Sequence, residues 1–236
     1  MQIDVQRSGE RGSSELGWLH SHFSFSFANY YNPERMGFGA LRVLNDDIIE
    51  GGGGFDAHPH KNFEIVTIVL EGALEHRDSA GNHGIIRPGE LQRISAGSGI
   101  SHSEHNASEN EKAALLQIWL KPKEQNIAPG YEQRKFNAEK MKNKFLEAVS
   151  GRKSAESIYL HQDARFLMGD FEKGRGAEIE LSSPGHGLYV FIIEGSAEAA
   201  GAPLGRRDAA GITGAERVPI KALEKSRILA IEVPMD

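Results

Sequence analysis

Eight of the ten histidines in this 236-residue chain lie at or before His105, and four of them fall in two short segments, His58-Pro59-His60 and His102-Ser103-Glu104-His105. The chain has no cysteine, so a metal would have to sit on imidazole nitrogen and carboxylate oxygen. In an extended strand, residues two apart project to the same face. His58 and His60 therefore point together, as do His102 and Glu104, while His105 points away. If the two segments are neighbouring strands of one barrel, His58, His60, His102 and Glu104 bring three nitrogens and one oxygen to a point. Such a set suits Fe(II), Mn, Ni, Co or Cu and leaves positions open for water or substrate.

A third pair, His20-Ser21-His22, has the same spacing but no second donor pair at a comparable distance. Phe23, Phe25 and Phe27 follow it at alternating positions, so it reads as strand packing. Glycines precede both functional segments, at Gly51 to Gly54 and at Gly97 and Gly99, where they permit tight turns and close approach of chains. Pro59 lacks a backbone donor, which places His58 to His60 at a strand end or bulge beside a cavity.

The elements that must position these groups are strands. With 27 glycines, 39% apolar residues and short apolar runs broken every ten residues or so, the chain reads as mainly β. Candidate strands cover 23–27, 39–43, 63–70, 91–94, 113–120, 188–193 and 228–233, several alternating with period two so that one face packs inward. Residues 131–149 are rich in Glu, Lys, Met, Leu and Ala and read as a linker with one short helix. The octets Ile68 to Glu75 and Phe191 to Glu198 share an apolar strand ending in Glu-Gly, 123 residues apart, which indicates an internal duplication. The same offset carries His58, His60 and Glu64 onto Leu181, Ser183 and Gly187, so the second half does not repeat the donor set.

The 33 acidic and 27 basic residues give a net charge of -6 and are scattered, which excludes an electrostatic footprint for nucleic acid or anionic lipid. No run approaches the roughly 18 apolar residues of a membrane span, and Met1 to Val5 is polar, so a cytoplasmic protein is expected.

Gly52, His58-x-His60 and Glu64 resemble the first cupin motif, and Gly99, His102 and Asn106 resemble the end of the second. Two departures stand out: Gly72 comes one place late, and Gly97 stands where the motif has proline. More specifically, His22 to Tyr30, Gly37 to Asp47, His58 to Glu64, Gly97 to Glu104 and Gln117-Ile118-Trp119 resemble the pirin family, especially its bacterial quercetin dioxygenases. The resemblance is strong over about residues 15 to 135.

That resemblance implies a bicupin, two stacked β-barrels of the jelly-roll type joined by a short linker helix. Its parts would be a metal-binding domain over 1–130, a linker over 131–148 and a second barrel without metal over 149–236. The implied metal ligands are His58, His60, His102 and Glu104, around one divalent transition metal, Fe(II) first and Mn, Co, Ni, Cu or Zn as alternatives. Glu64, a ligand in many other cupins, is implied to be displaced from that role. It shares parity with His58 and His60 but lies four residues, roughly 13 Å, beyond His60 on an extended strand, and is expected to pair within the barrel wall.

The implied activity is cleavage of a flavonol such as quercetin with O2. Glu104 would serve as ligand and as general base for the hydroxyl proton, and Phe55 and Gln117 would wall the pocket; Phe55 and Trp119 read equally well as core. The expected partners are a small aromatic substrate and O2, with no nucleic acid or membrane, and a monomer is expected. The resemblance equally allows an iron-containing, redox-sensitive regulatory protein with little catalysis. A metal-free cupin isomerase is disfavoured, because it needs no set of three convergent imidazoles.

Overall fold

The matching octets occupy matching places in the fold. In the computed structural model, which describes residues 1–235, the strands Glu64–Glu71 and His186–Glu194 each end at a glycine of positive φ, Gly72 at 70° and Gly195 at 80°. A Cβ at either position would collide with a backbone carbonyl, that of Lys112 or of Lys225. Only glycine allows the chain to leave its sheet there for the next strand, Leu74–Asp78 or Ala197–Ala199.

Each half is a sandwich of one seven-stranded and one four-stranded sheet, and the strand order repeats. The first large sheet runs Gly130–Lys135, Glu90–Ser95, Glu64–Glu71, Ala113–Leu120, Leu41–Ile49, Leu19–Phe23, Gly12–Glu15. The second runs Gln2–Gln6, Ala209–Thr213, His186–Glu194, Ser226–Pro234, Arg165–Phe171, Leu146–Ser150, Ile158–Tyr159. The small sheets follow the orders Gly54–His60, Ile100–Asn106, Leu74–Asp78, His83–Ile86 and Gly176–Glu180, Arg217–Ala222, Ala197–Ala199, Ala202–Leu204.

The two large sheets pack face to face. Val66, Ile68, Leu116 and Ile118 of the first half share one apolar cluster with Tyr189, Phe191, Leu229 and Ile231 of the second. The central strands are consequently buried on both faces, where the sequence reading expected a single inward face; every residue from His186 to Ile193 is buried. Leu188, Val190 and Ile192 fill the interior of the second barrel together with Ile179, Val218 and Ile220, so that barrel holds an apolar core where the first holds histidines.

Three further sequence expectations differ from the structure. The strand expected over 23–27 ends at Phe23, because Ser26 turns the chain by bonding Asn32 and the Arg35 carbonyl; the Phe25 ring instead packs on Tyr189, 5.4 Å away. The linker expected over 131–148 contains sheet: Gly130–Lys135 pairs with Glu90–Ser95, and Leu146–Ser150 belongs to the second large sheet. Its only helical turn is 3-10, Ala138–Met141, capped by the Asn137 side chain. Finally, Gln2–Gln6 pairs with Ala209–Thr213, so the first strand of the chain completes the second barrel.

Candidate metal centre

The two histidine segments are neighbouring strands. Gly54–His60 runs antiparallel to Ile100–Asn106, with His58 opposite His102 and His60 opposite Ile100; a bulge between His102 and Glu104 sets Glu104 opposite Phe55. Gly54–His60 is the edge of its sheet, which accommodates the donor missing at Pro59. On its other side Ile100–Asn106 pairs with Leu74–Asp78, placing Glu104 opposite His76. Burial alternates along Ile100–Asn106, with His102 and Glu104 inward. His105 faces outward, 3.6 Å from Asp56. Gly97 has φ 49°, a value closed to proline, which accounts for its departure from the motif.

The rings of His58, His60 and His102 form a triangle with centroid separations of 4.8, 4.6 and 4.8 Å. One nitrogen from each lies within 4.8 Å of the others. A second group with the same spacing shares one corner: His76, His102 and Glu104. The four expected ligands thus do not form a single group at this separation, since Glu104 sits with His102 and His76 rather than centrally among the three imidazoles. Both groups found among the described residues lie in the first barrel.

The donor set fits a divalent metal. His58 Nδ1 is held 2.7 Å from the Asp56 carbonyl, which leaves Nε2 as its donor. His60 Nε2 and His102 Nδ1 are buried with no hydrogen-bond partner, an expense that a ligand can relieve. Burial, with the neighbouring His58, pushes His60 down to about 4. Burial, with His60, His58 and His76, pushes His102 down to about 3. Both rings are therefore neutral near pH 7 and would bind a cation without first losing a proton.

Glu104 has the opposite perturbation. Burial and the charge of Asp47 push its carboxyl up to about 7, against hydrogen bonds donated by Gln92 Nε2 at 3.4 Å and Gln117 Nε2 at 2.8 Å. A carboxyl so poised can accept a proton near neutral pH, and a nearby cation would lower its affinity for that proton. Asp47 is itself pushed up to about 7 by burial, although Ser21 Oγ donates to it.

Gln117, expected in the pocket wall, is the group that anchors Glu104. Phe55 packs edge-on against Trp18 with centroids 5.0 Å apart, and 6.2 Å from the His58 ring. Trp119 stands edge-on against His60 at 4.8 Å. Glu64 is buried away from both donor groups; its Oε2 accepts from Ser95 Oγ at 3.0 Å and from the His161 backbone at 3.1 Å, tying a loop of the second half to the first barrel. A hollow of about 470 Å³ opens beside His60, lined by Pro59, Lys61, Ser79, Gly99 and Ser101.

The sequence reading missed His76. Its ring is fully buried, Nε2 lies 3.2 Å from Asp78 Oδ2, and it stacks on Tyr131 with centroids 4.9 Å apart. The available signal was the spacing His76-x-Asp78, which has the same-face parity of His58-x-His60 and follows directly on the Glu-Gly turn.

Two stacked antiparallel barrels, with both groups of three metal-capable donors found among the described residues lying in the first, define a two-domain cupin. The family model described as Pirin matches residues 4–120, and that described as Quercetinase C-terminal cupin domain matches residues 148–233. The chain belongs to the pirin family. It is 40% identical to a quercetin 2,3-dioxygenase of Escherichia coli strain K12, covering 98% of this chain and 99% of that one. It is 37% identical to a pirin-like protein of Caulobacter vibrioides, over 98% of this chain and 99% of the other. Among solved structures it is similar to the bacterial pirin YhhW from Escherichia coli in complex with nickel(II), with TM-score 0.93, 38% identity and 99% of each chain covered.

Proposed function

We propose that the protein is a metal-dependent dioxygenase that opens a flavonol such as quercetin with O2. The observation that carries this reading is the triangle of His58, His60 and His102, two of its rings held neutral by burial, beside a carboxyl poised near neutrality. Kinship with a curated quercetin 2,3-dioxygenase and likeness to a nickel-bound pirin support it. A divalent metal held by His58, His60 and His102, with Glu104 from the adjoining group, would acidify a coordinated flavonol hydroxyl and bring it together with O2. Glu104 accepts that hydroxyl proton, and Gln117 and Gln92 fix the carboxylate that receives it. Phe55 and Trp119 flank the histidines with apolar rings suited to an aromatic substrate. The native metal is proposed as Fe(II), and the protein as a monomer of the cytoplasm.

The test strips the protein with chelator and reloads it separately with Fe, Mn, Co, Ni, Cu and Zn. Each sample is given quercetin while oxygen uptake and flavonol absorbance are followed. Uptake matched to flavonol loss with at least one metal is expected. No metal-dependent uptake with any of them overturns the enzymatic reading in favour of a metal-containing regulatory module.

A further inference from the structure

The cleft where the two barrels meet carries a cluster that the metal centre does not use. It encloses about 510 Å³ and is lined by Arg11, Asp46 and Lys112 from the first half and by Glu194, Arg206 and Arg207 from the second. Asp46 and Asp47 are successive residues of one strand and point to opposite faces: Asp47 toward the first barrel's interior with Glu104, Asp46 into this cleft.

Arg11 has a side chain only 1% exposed, set over the Phe191 ring at 5.4 Å. Its Nη2 reaches Asp46 Oδ2 at 3.3 Å, while Nε and Nη1 are buried without any partner. Arg207 approaches the other oxygen of the same carboxylate, with Nη1 3.5 Å from Asp46 Oδ1, too long and poorly aimed to count as a hydrogen bond, and that nitrogen too is orphaned. Glu194 is shared between two arginines: Arg206 grips it in a two-pronged bond of 2.7 and 3.1 Å, and Arg207 Nη2 lies 3.5 Å from its Oε1. Lys112 is matched by Glu71 at 3.9 Å. Three guanidinium groups, Arg11, Arg206 and Arg207, therefore share two carboxylates, Asp46 and Glu194, leaving one positive charge uncompensated and buried N–H donors of Arg11 and Arg207 unused, where buried donors are ordinarily satisfied.

The backbone provides a second, independent observation. Arg207 sits at φ 65°, in the left-handed region that a long side chain ordinarily avoids. The next residue clamps that turn: Asp208 accepts from Arg7 Nη1, the Ser8 backbone and the Gly205 backbone at 2.8, 2.8 and 2.9 Å. A strained residue held in place by its surroundings, with its charged end turned into a cleft, is a frequent mark of a binding site.

We infer that this cleft binds a small oxyanion, a phosphate group free or carried by a small molecule, across Arg11 and Arg207. Such a group supplies the missing negative charge, and its several acceptor oxygens match the planar fork of a guanidinium. The site stands apart from the metal centre and does not depend on the activity proposed above.

Inorganic phosphate is the probe, with chloride at equal ionic strength as control. Thermal unfolding of the metal-loaded protein should show a saturable rise with phosphate, reaching roughly 5–10 °C at a hundredfold excess over Kd. Arg11→Met and Arg207→Met should each weaken the apparent affinity at least tenfold. Hydrogen exchange on the unaltered protein gives a readout that survives if a variant fails to fold: phosphate should slow exchange around 7–12 and 205–208. No saturable rise beyond chloride, an undiminished response in both variants, or protection confined to 54–60 and 100–106 would each overturn the inference.

Discussion

Replacement of Asp47 by Asn tests whether a buried carboxyl behind the metal centre is held against its own ionisation. Asp47 is fully enclosed, and burial raises it from 3.8 to about 7. A shift of that size corresponds to about 4 kcal/mol of differential stability between the two protonation states. The folded value lies above the unfolded one, so the folded protein retains a proton that the unfolded chain releases between pH 4 and 7. Stability is therefore lost as pH rises through that window, and the loss is complete above pH 7. Asn has the same shape, still accepts a hydrogen bond from Ser21 and cannot ionise. Urea unfolding of chelator-treated protein at pH 4, 6 and 8 should give nearly equal stabilities for the two proteins at pH 4, and an advantage of about 4 kcal/mol for Asp47→Asn at pH 8. Because the Asp47 charge also helps raise Glu104, the acid limb of the activity profile should move to lower pH in the variant. Parallel stability curves across the three pH values would refute the reasoning.

His60→Ala should lose most of its bound metal yet keep its β-sheet circular dichroism, because His60 Nε2 bonds to nothing in the fold and the apolar cores of the two barrels supply the stability; elemental analysis on the folded variant checks it. Glu104→Gln should cut turnover by roughly 10² to 10⁴, the usual contribution of a general base, with a smaller fall in metal content, so measuring both on one preparation separates the two roles of the carboxylate. Arg165→Met should destabilise the second barrel by about 3–5 kcal/mol at neutral pH, since Arg165 Nε donates at 2.7 Å to the buried Glu232, which also binds His186 and Ser182. Those partners hold Glu232 below the ordinary carboxylate range against burial, so its stabilising contribution disappears as pH falls; denaturation at pH 3.5 should show a smaller difference than at pH 7.

Much of the site is legible along the chain because strand geometry is local. The i, i+2 parity of His58 and His60 and of His102 and Glu104, with His105 outward, follows from the pleat alone, and the structure shows His102 and Glu104 buried and His105 half-exposed. The mirrored Glu-Gly turns at Gly72 and Gly195 were equally readable, since positive φ is a property of one residue. Where local pattern misled, long-range contacts had made it. The alternating Phe23, Phe25 and Phe27 reflect packing across a turn rather than one strand: Phe23 and Phe27 pack on each other at 5.4 Å, while Phe25 packs on Tyr189. His76 escaped notice because its place beside Glu104 depends on the register between Leu74–Asp78 and Ile100–Asn106, two strands that the chain separates by a hairpin and a long return.

The order of residue types determined which side chains could bind a cation, which shared a face, and that the second half lacked the equivalent donors. Only the folded arrangement decided how those groups behave. Proton affinity depends on exclusion of water and on charges brought near from distant segments, as when Asp47 from one sheet raises Glu104 on another. The face-to-face packing of the two large sheets likewise exists only once both barrels have formed, and it encloses a pair of arginines, Arg11 and Arg207, drawn from opposite ends of the sequence.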